Sequence, residues 1–279
     1  MSDLYGVFGN PVGHSRSPVI HAAFAAQCGH DLRYQAILAP RDGLAESLRH
    51  FIAAGARGAN VTIPFKEQAC RLATRLSPRA ELAGAVNTLL FDAGRVFGDN
   101  TDGAGLLADL ERNLALRIAG LRVLLLGAGG AARGVVGPLL DAQPALLVIA
   151  NRTLVRARDL VQRFGSTGLL RASGYRDLAG QRFDLVINAT SASLGGELPA
   201  LPRSVFAAGS LAYDMMYGDA ATPFLTFAAQ QGAARHADGL GMLVEQAAES
   251  FSIWRGVRPQ TEPVLAMLRG AAAKAAVAR

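Results

Sequence analysis

Val123-Leu124-Leu125-Leu126-Gly127-Ala128-Gly129-Gly130-Ala131-Ala132 is the stretch that decides the architecture. Its four apolar residues read as a strand buried on both faces, the pattern of a parallel sheet covered by helices. Gly127, Gly129 and Ala132 then match a G-x-G-x-x-G/A turn. In such a turn the first glycine permits the sharp bend and the second lets the backbone approach a pyrophosphate, while a small third residue lets the next helix pack closely. That helix directs its N-terminal amides toward the phosphates. A glycine-rich turn is a weak signal alone, but here it lies between a buried strand and a helix and begins a βαβ unit, as a dinucleotide site requires. Gly127, Ala128, Gly129, Gly130 and Ala131 are its candidate contacts.

The following strand, residues 146–150, bears on which dinucleotide is bound. A fold for NAD usually ends it with a carboxylate that bonds the ribose 2′-hydroxyl. Here the chain runs Asn151-Arg152-Thr153, with Arg156 one helical turn further on. Two guanidinium groups and no carboxylate suit a 2′-phosphate, which they bind through charge-assisted hydrogen bonds. The expected cofactor is therefore NADP(H). A plain solvated helix start, with Thr153 as its N-cap, is the alternative reading.

Working outward, later strands of this series are expected at residues 183–187 and 211–213. After Ala237-Asp238-Gly239 the chain turns helical, with Leu240, Leu243, Val244, Ala247, Phe251 and Trp254 on one stripe. The first hundred residues form a second alternating series. Residues 4–8 read as a strand, and Ser17-Pro18 opens a helix with a hydroxyl N-cap and proline at N1. Residues 34–38 and 58–62 read as strands, with a helix capped by Asp42 and stopped at Gly55 between them. Helices are expected near Lys66 and Ser77-Pro78, and a strand over residues 86–91 that turns at Asp92-Ala93-Gly94. Residues 99–103 read as a junction leading into a helix through Asn113. Strands separated by helices imply two α/β domains, the first with a mainly parallel open sheet and the second of Rossmann type. The expected division is 1–102 for substrate binding and catalysis, 103–237 for NADP, and 238–279 for C-terminal helices returning to the first domain.

Composition sets the outer bounds. The 279 residues are 51% hydrophobic and 18% charged, enough apolar material for a full core and against disorder. The net charge of +6 comes from scattered basic residues, whereas nucleic-acid binding needs a stripe or patch. No stretch reaches the roughly 18 apolar residues that span a bilayer, and the start of the chain carries no secretory signal pattern. Cys28 and Cys70 are far apart, so a disulfide framework is not expected and a reducing cytoplasm is. Of the 28 basic residues only Lys66 and Lys274 are lysine, and Lys274 lies in an alanine-rich tail. Lys66 thus stands alone in a body that otherwise uses arginine. Arginine cannot deprotonate in a protein and lysine can.

Several polar residues cluster at predicted strand ends and helix starts of the first series: Ser15, Ser17, Asn60, Thr62, Lys66, Asn87 and Asp102. Open α/β sheets bind ligands at this rim. Any one of these residues could be structural. Together they favour a pocket for a polyol or hydroxy acid.

In order along the chain come Phe8-Gly9-Asn10-Pro11 with Ser15-Arg16-Ser17-Pro18, then residues 58–66 (Gly-Ala-Asn-Val-Thr-Ile-Pro-Phe-Lys) and Gly84-Ala85-Val86-Asn87-Thr88. Gly98-Asp99-Asn100-Thr101-Asp102-Gly103 follows. Beyond the glycine turn and Asn151-Arg152-Thr153 lie Asn188-Ala189-Thr190-Ser191 and Asp238-Gly239-Leu240-Gly241-Met242-Leu243. This series, running from residue 5 to about 255, resembles shikimate dehydrogenase. The resemblance implies reversible, NADP-dependent reduction of 3-dehydroshikimate to shikimate in aromatic amino-acid (chorismate) biosynthesis. It implies that Ser15 and Ser17 bind the substrate carboxylate with help from Tyr217, and that Thr62, Asn87 and Gln246 bind ring hydroxyls with Asn60 close by. It makes Lys66 and Asp102 the catalytic pair and adds Thr190, Met215 and Gly239 to the cofactor contacts. After Ser191 the chain departs from the family pattern of a small residue, Gly and Met, reading Ala192-Ser193-Leu194-Gly195-Gly196 instead. The implied partners are the small-molecule substrate alone, with no nucleic acid, no membrane and no metal, in a monomer or homodimer.

Other hydride-transfer designs fit less well. A Tyr-x-x-x-Lys pair is absent, since Thr62 and Gly270 precede the two lysines by four. Only His14 of the five histidines lies in a motif, and no Cys/His spacing suits zinc. A sister enzyme for quinate or aminoshikimate, and an NADP(H)-binding regulatory protein that has lost catalysis, stay open. The latter would have no need of Lys66 with Asp102.

Overall fold

The computed structural model describes residues 2–165, 168–190, 198–218 and 220–277. The chain divides into two compact units, Met1–Leu106 with Leu243–Leu268, and Leu107–Met242 with Arg269–Arg279.

In the first unit, β1 (Asp3–Gly9), β2 (Leu32–Leu38), β3 (Ala56–Val61), β4 (Arg75–Leu76), β5 (Thr88–Asp92) and β6 (Arg95–Asp99) form one sheet in the order β2-β1-β3-β5-β6-β4. β1–β2, β1–β3 and β4–β6 pair in parallel, whereas β3–β5 and β5–β6 are antiparallel. The sheet is mixed because Ala93 (φ 45°) and Gly94 (φ 78°) make a two-residue turn with positive φ at both positions, the hairpin geometry that suits strand twist. The sequence reading stopped at that turn and missed β6. Asp99 is thus the last residue of a strand, and Asp102 opens α5 (Asp102–Ala108). The expected strand over 86–91 begins only at Thr88, because Val86 and Asn87 spend their amides on Lys66 O (2.9 Å) and Asp99 O (3.1 Å).

Two caps were misread. α1 (Ser17–Cys28) starts at Ser17 itself with no side-chain cap; the hydroxyl of Ser15 instead accepts the Ser17 amide at 3.3 Å. α2 (Leu44–Ala53) has Gly43, not Asp42, at its cap position and ends before Gly55. Gly43 lies against the Pro40 ring, where a Cβ would meet three ring carbons at 3.0–3.2 Å. α3 (Lys66–Leu72) and α4 (Pro78–Ala83) begin where expected, and the Ser77 hydroxyl caps α4 by accepting the Ala80 amide.

The long helix α9 (Leu240–Arg255) supplies residues from Leu243 onward to the first unit. Its Trp254 stacks on Tyr5 with ring centroids 4.7 Å apart and donates its indole N–H to Leu89 O at 2.9 Å. Gly58 makes room: a Cβ there would stand 2.6 Å from the indole nitrogen. The helix also buries Glu245 and Ser250, which the apolar stripe did not suggest. Glu245 is held by Arg258 and by Thr261.

The second unit carries a wholly parallel sheet of β7 (Arg122–Leu126), β8 (Leu146–Ala150), β9 (Leu170–Ser173), β10 (Phe183–Asn188), β11 (Phe206–Asp214) and β12 (Arg235–Asp238), ordered β12-β11-β10-β7-β8-β9. The order reverses between β7 and β10, the switch point where open α/β sheets bind ligands. β7, β8 and β10 are almost wholly buried, as their apolar runs require. β9 and β12 were missed: both are four-residue edge strands, and Arg235-His236-Ala237-Asp238 has no apolar pattern. α6 (Gly130–Asp141), α7 (Leu154–Phe164) and α8 (Pro223–Gln230) join these strands. α10 (Glu262–Val277) is the last helix, and no helix of the described residues is long and apolar enough to cross a membrane.

Candidate functional site

Lys66 is the first residue of α3 and Asp102 the first of α5. A carboxylate is favoured at a helix start and a cation is not, so the two helix ends suit Asp102 and leave Lys66 needing a partner. The ammonium donates to Asp102 Oδ2 at 2.6 Å, with the side chains only 13% and 5% exposed. This is an ion pair largely withdrawn from water, where losing one member strands the other.

The other oxygen of Asp102 is also held. Asn87 Nδ2 reaches Asp102 Oδ1 at 2.9 Å, Thr101 Oγ1 at 2.8 Å and Gln246 Oε1 at 3.0 Å. Gln246 arrives because α9 passes against Gly105 of α5, where a Cβ would lie 2.6 Å from that of Gln246. Asn60 Nδ2 gives one hydrogen to Asn87 O and shares the other between Thr88 Oγ1 and Ser250 Oγ, all at 3.0–3.1 Å, and Asn60 Oδ1 accepts from Tyr34 at 2.7 Å. The structure thus joins Asn60, Lys66, Asn87, Asp102 and Gln246 in one web. Asn60, Asn87 and Asp102 are at most 6% exposed.

Asn60 spends its amide hydrogens and its oxygen inside this web, a supporting rather than ligand-facing posture. Thr62 stands apart: it follows β3 with its methyl group against Gly9 and its amide on Phe8 O. Ser15 is half-buried and Ser17 buried, at the entry to α1. Thr88, Thr101 and Ser250 are buried hydroxyls of the web that the sequence reading did not single out. Their signal was adjacency: Thr88 follows Asn87, Thr101 precedes Asp102, and Ser250 is one helical turn from Gln246. Asp99 braces the neighbouring backbone. Burial alone would raise its pKa, but hydrogen bonds from Arg79 and Ser77 outweigh that and leave it lowered.

In the second unit, Gly127 has φ +106° and lies close to Ala189 O and Thr190 Cγ2 at the switch point. A Cβ on Gly129 would meet nothing within 4 Å, so open space faces the start of α6. That cradle, with the amides of residues 129–131 at a helix N-terminus, fits a pyrophosphate. Beyond β8, Asn151 Nδ2 bonds Thr153 O at 2.9 Å and shapes the loop, while Arg152 and Arg156 are exposed. Thr153 occupies the cap position without a side-chain capping bond. Thr190 bonds Asn188 Oδ1 at 2.7 Å, Asn188 bonds Asp214, and the Met215 amide bonds Asn188 O. Gly239 packs on the Met215 carbonyl so closely that a side chain there would collide. Tyr217 follows in the same unit, half-buried. Ser191 and the variant loop 192–196 lie outside the described residues. No group of His, Cys, Asp and Glu among the described residues could hold a metal ion.

Comparison with known proteins agrees along the chain. Residues 7–89 match the shikimate dehydrogenase substrate binding domain, 109–195 the shikimate / quinate 5-dehydrogenase family, and 239–269 the shikimate 5′-dehydrogenase C-terminal domain. A shikimate dehydrogenase (NADP(+)) of Nitrosospira multiformis is 63% identical over 96% of this chain and 98% of its own. An Ael1 enzyme from Pseudomonas putida superposes with a TM-score of 0.89 at 50% identity, covering 96% of this chain and 98% of that one. The Thermus thermophilus shikimate 5-dehydrogenase, solved with NADP(H) and shikimate, superposes with a TM-score of 0.83 at 34% identity, over 98% and 99%.

Proposed function

This chain belongs to the shikimate dehydrogenase family, and on that premise we propose that Lys66 and Asp102 are the acid–base pair with which it works. The enzyme is an NADP-dependent oxidoreductase that reduces 3-dehydroshikimate to shikimate in aromatic amino-acid biosynthesis. The observation that carries the assignment of the pair is the 2.6 Å contact of Lys66 with Asp102, within a hydrogen-bond web that also holds Asn87 and Gln246.

Bound NADPH supplies the hydride, which leaves negative charge on the ring C3 oxygen. The ammonium of Lys66 stabilises that charge and gives the proton, and its amine takes the proton back in the reverse direction. Asp102 keeps Lys66 in place with Oδ2 and is itself kept by Asn87. Asn87 and Gln246, with Thr62, bind ring hydroxyls, Asn60 stands behind them, and Ser15 and Ser17, assisted by Tyr217, take the carboxylate. Gly127, Ala128, Gly129, Gly130 and Ala131 hold the pyrophosphate. Asn151, Arg152, Thr153 and Arg156 hold the adenosine 2′-phosphate, and Thr190, Met215 and Gly239 face the nicotinamide end. Substrate binding belongs to residues 1–102 with the C-terminal helices of 238–279, and NADP binding to 103–237.

We assign the enzyme to the cytoplasm, a reading supported by Cys28 and Cys70 being thiols rather than halves of a disulfide. Turnover of purified protein, followed by nicotinamide absorbance with NADP and either shikimate or quinate, tests the substrate. Turnover is expected with shikimate. Faster turnover with quinate would reassign the substrate within the family, and none with either would point to a binding protein.

A further inference from the structure

The buried web behind the ion pair has a direction. Asn87 Oδ1 accepts the Thr101 backbone amide at 2.8 Å, and a backbone N–H can only donate, so the amide of Asn87 has one orientation. Its Nδ2 must face Asp102 Oδ1. Asn60 is oriented by the same logic, because its Nδ2 lies on the carbonyl of Asn87, which can only accept. Its Oδ1 therefore takes the hydrogen of Tyr34, at 2.7 Å. Thr88 sits between the two amides. Its oxygen receives Asn60 Nδ2 at 3.1 Å, and its hydrogen goes to Asn87 Oδ1 at 2.9 Å.

We propose that Tyr34, Asn60 and Thr88 are positioning residues, forming a one-way hydrogen-bond chain through Asn87 that selects which oxygen of Asp102 faces Lys66. Each link donates to the next: Tyr34 to Asn60, Asn60 to Thr88, Thr88 to Asn87, Asn87 to Asp102 Oδ1. Lys66 meets the remaining oxygen from the opposite side. Donors aligned head to tail polarise one another, and a dry setting strengthens each bond; Thr88 is 1% exposed and Asn87 2%. The source of the chain is stable, because burial drives the Tyr34 phenol well above its ordinary pKa and keeps it a donor. Ser250 runs beside this link in the same direction: its oxygen accepts from Asn60 Nδ2 at 3.0 Å and its hydrogen can go to Thr88 Oγ1 at 2.8 Å, with the Gln246 carbonyl as the other acceptor open to it.

The inference rests on the assignment of Lys66 and Asp102 as the acid–base pair, and a double-mutant cycle separates the two. Thr88→Val keeps the shape and removes the hydroxyl. It should lower kcat about three- to tenfold, the usual worth of one neutral hydrogen bond, with KM for shikimate within about twofold. Thr88→Ser should restore kcat. In an Asp102→Asn background, Thr88→Val should cost nothing further, because the group it orients is gone. Tyr34→Phe removes the first donor and should lower kcat less, and it serves as the test should Thr88→Val fail to fold. Wild-type kcat in Thr88→Val, or in Tyr34→Phe where that stands in, overturns the chain. So does a loss that multiplies undiminished with Asp102→Asn. Normal turnover in Asp102→Asn alone overturns the acid–base assignment itself.

Discussion

Asn87 and Arg152 both stand beside strand ends, one in each unit, and they prepare for a ligand in opposite ways. Asn87 is buried and bonded on every side. Arg152 is exposed, on a loop held by the Asn151 side chain on Thr153 O and by the backbone bonds of Asn151 to Ser173 and of Arg156 to Thr153. The first unit spends side chains on one another, so that Lys66 and Asp102, the proposed acid–base pair, are held in place before any substrate arrives. The second keeps such bonds for residues like Asn188, Thr190 and Asp214 at its switch point, and where we propose that phosphates bind it offers an open glycine cradle, a helix start and two exposed guanidinium groups. Preorganised side chains act where charge develops in the reaction. Backbone amides and exposed charges act on a charge the ligand already has, in the ground state as much as in the transition state. Damage in the first unit should therefore fall on kcat, and damage in the second on cofactor preference.

The hardest test of that division is Lys66→Ala. It should lower kcat by about 10²- to 10⁴-fold, the usual worth of a positioned acid–base group, while shikimate affinity by calorimetry changes far less. Near-normal turnover would remove the first unit's claim to the chemistry.

Arg152 tests the second unit. Hydrogen bonds to a charged group contribute about 1.5–3 kcal/mol, so Arg152→Ala should cost roughly ten- to hundredfold in kcat/KM with NADP. With NAD, which has no 2′-phosphate, kcat/KM should change little. Arg152→Asp should go further, repelling the phosphate and offering the ribose an acceptor. Added salt should weaken NADP binding in the wild type more than in either variant. Equal losses with both cofactors would make Arg152 a structural residue and dissolve the contrast.

The smallest expected effect concerns how dry the first unit is. His21 is wholly buried, stacked 4.3 Å from Tyr34, with neither ring nitrogen in a hydrogen bond of good geometry. Burial lowers its pKa to about 3 and outweighs the opposing influence of nearby Asn60. The folded state keeps His21 neutral, while the unfolded chain takes a proton near the ordinary value of about 6.5. Stability from this residue is present above pH 6.5 and is lost as pH falls toward 3. Between pH 6 and pH 5 the loss is about 1 kcal/mol. In urea unfolding at those two pH values, His21→Phe should lose that much less than wild type, the other histidines being common to both. Equal losses would mean that water reaches the ring and that this core is wetter than its contacts imply.

Much of this was legible beforehand, and the reason differs between the units. The Rossmann strand and its turn are contiguous, and the backbone requirement is written into the residue type: Gly127 stands at φ +106°, a conformation that side chains disfavour. A short series of residues therefore carries both the element and its use. The lone lysine and the seven ordered polar positions marked Lys66 and Asp102 as candidates, but nothing in their spacing could say that 2.6 Å separates them. Edge strands such as Arg235–Asp238 escaped because a strand with one exposed side needs no apolar run. β6 escaped because its pairing is set by the turn at Ala93-Gly94 rather than by its own residues.

What belonged to the tertiary structure alone is the direction of the buried web. Asn60, Asn87 and Gln246 are the same amides in any sequence reading. Which end of Asn87 or Asn60 donates is decided by groups far away in the chain or across the sheet, Tyr34, Thr101 and the carbonyl of Asn87 among them. Hydrogen bonds have a polarity that one-dimensional order cannot carry. Residue types determined what the site could do, and packing against partners 14 to 190 positions away decided which atom of each side chain would face it.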